Sequence, residues 1–170
     1  TRKESSAASD VYKRQEISKL MDECKSLRIA TLGPDVNESY QKFGVNHKGE
    51  IRFGLAAIKG MGDAAATAII QEREAHGLYQ DIFDFAHRVD FTQVNRKAFE
   101  SLALSGGFDS FGIPRESYFT ANNKGELFID TLVRYGQLYQ NKKSEIEHSL
   151  FGGVDAVETA TPPIPKPELW

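Results

Sequence analysis

Two glycines place the tightest constraint on what this chain can fold into. They stand in Ile58-Lys59-Gly60-Met61-Gly62-Asp63, and Ala66 and Ile69 follow at helical spacing. The glycines allow a very tight turn, including positive φ where a side chain would clash. Leu55-Ala56-Ala57-Ile58 reads as one helix running into the turn. Asp63 opens the next, which continues through Arg73 and Glu74 to Gly77. A helix that starts this way aims several unpaired backbone N–H groups outward. Together with the positive end of the helix dipole they make a site for one phosphate.

The pattern apolar-x-Gly-apolar-Gly-x-x-x-Ala-x-x-Ile is that of a helix–hairpin–helix, a motif that grips a nucleic-acid backbone without reading its sequence. Net charge qualifies how such a grip can work. The chain carries −3 at neutral pH, which excludes binding by bulk electrostatics and leaves backbone amides and a few placed cations. The plain alternative is that Gly60 and Gly62 only permit a tight turn between packed helices. No apolar run approaches a membrane span and no secretory pattern is present. The single cysteine, Cys24, has no internal disulfide partner, and it sits on the apolar face of its helix as inert core. A reducing cytoplasm is expected.

The rest of the chain organises around that motif. Asp10-Val11-Tyr12-Lys13-Arg14-Gln15 looks like the translation of a transposon-end adapter used in sequencing libraries. Residues 1–15 are therefore expected to be a disordered, non-native scar, and the natural protein to extend upstream. Ile17, Leu20, Met21, Cys24 and Leu27 predict an amphipathic helix over Glu16 to Leu27 with one buried face. Leu32 to Asn37 is a turn-rich crossing, with a strand possible near Ile29. Phe43 and Val45, then Ile51 and Phe53, flank Asn46-His47-Lys48-Gly49 as a short β-hairpin.

Downstream, Asp81 reads as the N-cap of a short helix ending near Val89, with Phe83 and Phe85 as anchors. Asn95 to Ser105 is another helix, with Phe99 and Leu102 buried and Gly106-Gly107 ending it. The Gly106 to Gly112 turn and a helix after Pro114 are expected to form a second, degenerate hairpin motif. It packs on the first but does not contact DNA. A last helix is predicted from about Glu126 to Tyr139. Of the six prolines, four fall in Thr161 to Pro167, a density that favours an extended connector. The fold class is thus mainly α with one short β-hairpin, a tandem helix–hairpin–helix and a flexible tether. Its boundaries are 1–15, 16–54, 55–140 and 141–170.

Several ordered motifs then carry a resemblance. Leu32-Gly33-Pro34-Asp35-Val36-Asn37-Glu38-Ser39, Phe53 through Gly62, Asn95-Arg96-Lys97 leading to Leu102, and Ser105-Gly106-Gly107-Phe108-Asp109 resemble the bacterial DNA polymerase III alpha subunit over residues 16 to 170. The resemblance implies the end of the fingers region followed by the tandem helix–hairpin–helix domain, which touches the duplex behind the polymerase active site. It implies DNA contacts at Lys59, Gly60, Met61, Gly62, Asp63 and Ala64, with N–H groups near Gly60, Gly62 and Ala64 meeting phosphate oxygens. It also implies primer–template duplex, a sliding clamp and other replisome subunits as partners. The catalytic carboxylates and their Mg²⁺ would lie in the palm, upstream, so this piece holds no catalytic residue and no metal site and should be inactive alone. A monovalent cation on the hairpin carbonyls is compatible with the motif.

Glu147-His148-Ser149-Leu150-Phe151 is similar to a short clamp-binding peptide, Gln-x-Ser/Asp-Leu-Phe. Leu150 and Phe151 would be its apolar anchors, and Ser149 matches the polar position. Glu147 departs from the pattern, because a carboxylate cannot donate as an amide does. The alternative is that Leu150 and Phe151 pack back on the domain. Arg73, Arg96, Lys97 and Arg115 could line a DNA face, yet they alternate with Glu72, Glu74, Glu100 and Glu116 as a solvated surface does. Asp81 and Asp84 are explained by capping and solvation, and the histidines have no zinc spacing. Two other readings stay open, a standalone helix–hairpin–helix repair protein and a clamp-interaction module.

Overall fold

The structure is a computed structural model that describes residues 15–23, 25–148 and 160–166. The expectations for residues 1–14, for Cys24 and for Ser149, Leu150 and Phe151 lie outside these.

Residues 15–23 and 25–26 are helical (α1), so the helix takes in Gln15. The expected buried face is not found. Ile17 and Met21 are only half-buried, while Leu20 and Leu27 are 40% and 69% exposed. An apolar stripe defines a face but does not supply its partner, and no described element covers this one.

The chain next forms a small mixed sheet. Strands β1 (Thr31–Leu32), β2 (Gly44–Val45) and β3 (Ile51–Arg52) lie in the order β1-β3-β2. β1 runs parallel to β3 with Thr31 opposite Ile51, and β2 is antiparallel with Val45 opposite Ile51. The hairpin turn is closed by Asn46, whose Oδ1 accepts from Lys48 N–H and Glu50 N–H, both at 3.0 Å. An identical device recurs at Asn122, whose Oδ1 accepts from Lys124 and Glu126 N–H. Both turns read Asn-x-Lys-Gly-Glu, and an Asx side chain mimicking a backbone turn explains both.

Four α-helices follow: α2 (Asp63–His76), α3 (Ile82–Arg88), α4 (Arg96–Ser105) and α5 (Phe128–His148). The capping expected from sequence is present. Asp81 accepts from Asp84 N–H, Asn95 accepts from Ala98 N–H, and Gly106 ends α4 at φ +92°. Two expectations need correction. The helix leading into the first hairpin is a single 3-10 turn, Leu55–Ala57. Its first N–H groups go back to the preceding loop, Leu55 to Tyr40 O and Ala56 to Gln41 O, and Ile58 is already extended. The helix after Pro114 is likewise a 3-10 turn, Arg115–Phe119, stopped where Ala121 bridges Leu127.

The last helix also runs further than the expected end near Tyr139. α5 continues to His148, because residues 141–148 contain no glycine or proline and are rich in helix-propagating Lys and Glu. α5 packs chiefly on α3, with further contacts to α4. The crossing is close: a Cβ at Gly136 would stand 2.6 Å from Phe91 Cζ and 2.7 Å from Ala86 O.

The core is aromatic. Phe85, fully buried, meets Tyr79, Phe99 and Phe108 edge-on or tilted at ring separations of 4.8, 5.4 and 5.1 Å. Tyr118 continues the cluster to Phe128. The crossing segment after Leu32, read as a plain turn, is its polar counterpart. Val36 N–H donates to Gly107 O, and the Asn37 amide pairs with both backbone groups of Tyr79. Ser39 Oγ donates to Phe53 O, and the buried Arg73 guanidinium donates to Val36 O and Ser39 O, each at 2.8 Å. This segment locks the sheet to the helices and so fixes the hairpin between them.

Candidate nucleic-acid interface

The hairpin is held from below by apolar anchors. Ile58 and Met61 are 7% and 8% exposed, and Met61 N–H donates to Ile58 O at 3.1 Å. Ala65, Ala66 and Ile69 bury the inner face of α2. With both flanks pinned, Lys59 and Gly60 are pushed to the surface. Met61, expected among the DNA contacts, therefore has its side chain in the core, and only its backbone faces the hairpin.

The two glycines turn out to do different things. Gly60 has φ +89°, and a Cβ there would stand 2.8 Å from Ser101 Oγ. The backbone requires glycine, while a methyl would have only to turn the Ser101 hydroxyl aside. Gly62 has φ −80° and ψ 159°, ordinary extended backbone, and a Cβ there would meet nothing within 4 Å. Neither the turn nor the packing of this chain demands glycine at Gly62.

Gly62 is also the N-cap of α2, and no side chain caps the helix. The first intrahelical bond is Ala66 N–H to Gly62 O. The N–H groups of Asp63, Ala64 and Ala65 thus have no acceptor within the helix. Asp63 and Ala64 are exposed, so two of these donors open to solvent beside Gly62. The site presents backbone donors, an unobstructed Cα and the positive end of a 14-residue helix. That arrangement suits a phosphate oxygen. The Asp63 carboxylate in the first turn opposes it.

The cations suggested by sequence divide sharply. Arg73 is 6% exposed and serves loop carbonyls. Arg96 pairs with Glu100 and Asp130, and Arg115 with Asp109. Arg88 binds Glu72, Asp84 and the carbonyls of Gly77 and Leu78, closing the C-terminus of α2. Lys97 alone of the four suggested cations stands beside the hairpin, its Cε 3.5 Å from where a Cβ on Gly60 would be. Sequence alternation grouped it with the solvated charges, and nothing in the linear pattern separates it from Arg96.

Of the remaining polar candidates, His87, Asp81 and Asp84 serve the fold. His87 Nε2 lies 2.6 Å from Tyr135 Oη, and its ring stacks on Tyr139 at 3.7 Å. Burial lowers its pKa, opposed by Asp84 and Asp81. Asp81 caps α3 and Asp84 pairs with Arg88. Glu147 is exposed on the last turn of α5. Among the described residues there is no group of three or more His, Cys, Asp or Glu placed to hold a metal ion. No described helix is long and apolar enough to cross a membrane.

Comparison with known proteins agrees with this geometry. Residues 28–118 match the family described as helix-hairpin-helix motif. The chain is similar to DNA polymerase III subunit alpha of Pasteurella multocida, at 42% identity over 70% of this chain and 10% of the relative. Its similarity to the Vibrio cholerae subunit is 31% over 84% of this chain and 12% of the relative. The Escherichia coli K12 subunit matches at 38% over 61% of this chain and 9% of the relative. The chain thus spans about a tenth of the length of the relatives it matches. It belongs to the helix-hairpin-helix motif family, in the form similar to a segment of bacterial DNA polymerase III subunit alpha.

Proposed function

We propose that this chain grips the DNA backbone, independent of sequence, as part of a DNA-directed DNA polymerase of the replicative, DNA polymerase III alpha type. The observation that carries this is the start of α2. Free N–H groups at Asp63 and Ala64 stand behind a glycine, Gly62, that the fold itself does not require. Lys59 adds a charge-assisted contact. The duplex would be the primer–template behind the active site, and the segment's part in the polymerase is processivity rather than chemistry. The chemistry would fall to Mg²⁺-binding carboxylates elsewhere in the protein, working in the cytoplasm. A monovalent cation on the hairpin would rest on carbonyls such as Ile58 O, which already accepts from Met61 N–H.

The deciding experiment is fluorescence anisotropy with a labelled duplex at low and moderate salt. The unmodified chain should bind weakly, without sequence preference, and less as salt rises. Gly62→Ala should stay folded, with a melting temperature only slightly lowered by the poorer N-cap, and lose affinity, since the added methyl would stand where the phosphate approaches. Equal binding by Gly62→Ala would remove the hairpin from the interface. The chain alone should extend no primer; template-dependent product would overturn its non-catalytic role.

The tail is the second part of the proposal. Glu147, Ser149, Leu150 and Phe151 attach the polymerase to its sliding clamp, as their similarity to a clamp-binding peptide suggests. Loss of clamp binding in Leu150→Ala/Phe151→Ala, with DNA affinity unchanged, supports it. Unchanged clamp binding rejects it and favours a helix–hairpin–helix protein that works without a clamp, such as a repair factor.

A further inference from the structure

We propose that Lys97 of α4 is a second phosphate-binding side chain of the hairpin, so that the grip is assembled from two elements far apart in sequence. This rests on the backbone-grip reading and extends it. The placement is the first argument. The Lys97 side chain runs alongside Gly60, and Ser101, one turn further on the same helix, closes against the hairpin from the same side.

The second argument is how the chain distributes its cations. Arg52, Arg88, Arg96, Arg115 and Arg134 each hold a carboxylate, and Arg73 is buried on carbonyls. Among the described residues no lysine takes part in an ion pair. These six arginines are spent on the fold, where a planar fork suits carboxylates and carbonyls. Lysines keep their charge available, and Lys97 is exposed.

The third argument is local charge. In formal charge, Lys59 on the hairpin is offset by Asp63 in the first turn of α2, with which it forms no ion pair. Glu100, the acid on α4 nearest in register, is already engaged by Arg96. Lys97 therefore decides whether the hairpin carries a net positive charge within a chain of net charge −3. Without it, Lys59 and the helix dipole act against the opposing charge of Asp63.

The test measures duplex affinity of the 170-residue chain across a salt series, for the unmodified protein, Lys97→Ala, Lys97→Arg, Gly62→Ala and Lys124→Ala. One lost phosphate contact should reduce the slope of log affinity against log salt by about 1 and weaken binding roughly tenfold near 50 mM salt. Lys97→Ala should show both effects at an unchanged melting temperature. Lys97→Arg should restore the slope, and Lys124→Ala, on the Asn122 turn, should behave as the unmodified chain. If Gly62→Ala binds weakly while Lys97→Ala keeps the full slope, the hairpin grips DNA and Lys97 does not, which overturns this inference alone. If neither variant differs from the unmodified chain, or that chain does not bind, the backbone-grip reading fails and this inference with it.

Discussion

At Gly60 and Gly62 the same residue type answers two separate needs. Gly60→Ala forces an L-residue to φ +89° and a methyl against Ser101. It should cost about 1–3 kcal/mol of stability, read as a lower urea midpoint. Gly62→Ala should cost less, about 0.5–1 kcal/mol, because only the N-cap preference for Gly over Ala is lost. His87 yields a prediction of a different kind. Its folded pKa lies below the ordinary 6.5 because burial disfavours the charged ring. The neutral form is the one the fold prefers, so its contribution is complete above pH 6.5. It is lost as pH falls from there through the lowered folded value. Thermal melts from pH 7.5 to 5 should show declining stability, and His87→Phe, which keeps a ring against Tyr139, should flatten that decline. A His87→Phe profile as steep as the original would assign the pH dependence elsewhere.

Between elements, the joints are polar on one side and close-packed on the other. Arg73 ties the end of α2 to the Val36–Ser39 segment. Arg73→Ala leaves both carbonyls without this donor and opens a gap beneath Tyr40, whose ring lies 5.0 Å from the guanidinium. It should destabilise the fold by about 3 kcal/mol. Because that segment also holds Gly107 and Tyr79, DNA affinity should fall with the fold and recover when the protein is stabilised by osmolyte. On the other side, Gly136→Val should drive α5 off α3 at Phe91 and Ala86. A loss of about 2 kcal/mol or more is expected from overpacking, and equal stability in calorimetry would mean that the helices cross with more room than described.

For the molecule as a whole, the core and the interface sit on residues after Gly33, while α1 contributes little burial. Removing residues 1–27 should therefore shift the melting temperature by no more than about 2 °C and leave duplex affinity unchanged. A large drop would reveal packing of α1 on the domain. An acidic chain can still meet DNA, because the proposed grip would use oriented N–H groups and placed lysines rather than overall charge.

Much of this was readable along the chain, where local chemistry decides. The caps at Asp81 and Asn95, the Gly77 and Gly106 stops, the Asn46 hairpin and the Gly60–Gly62 turn all follow from side-chain hydrogen bonding and backbone freedom within a few residues. The buried aromatics Phe85 and Phe99 followed from helical period. What pattern could not supply was anything set by a distant partner. Leu55–Ala57 stays a single 3-10 turn because Ile58 leaves helical dihedrals and buries its side chain in the core. α1 keeps an exposed stripe because amphipathicity does not name its cover. Arg96 and Lys97 are neighbours in sequence with opposite fates, one held by Asp130 across the fold and the other beside Gly60. Sequence alone determined the hairpin turn and the helix that opens after it, since these depend on bonds a few residues long. Only the tertiary structure decided which cations remain free to join it, since that depends on which carboxylates and carbonyls folding brings within reach.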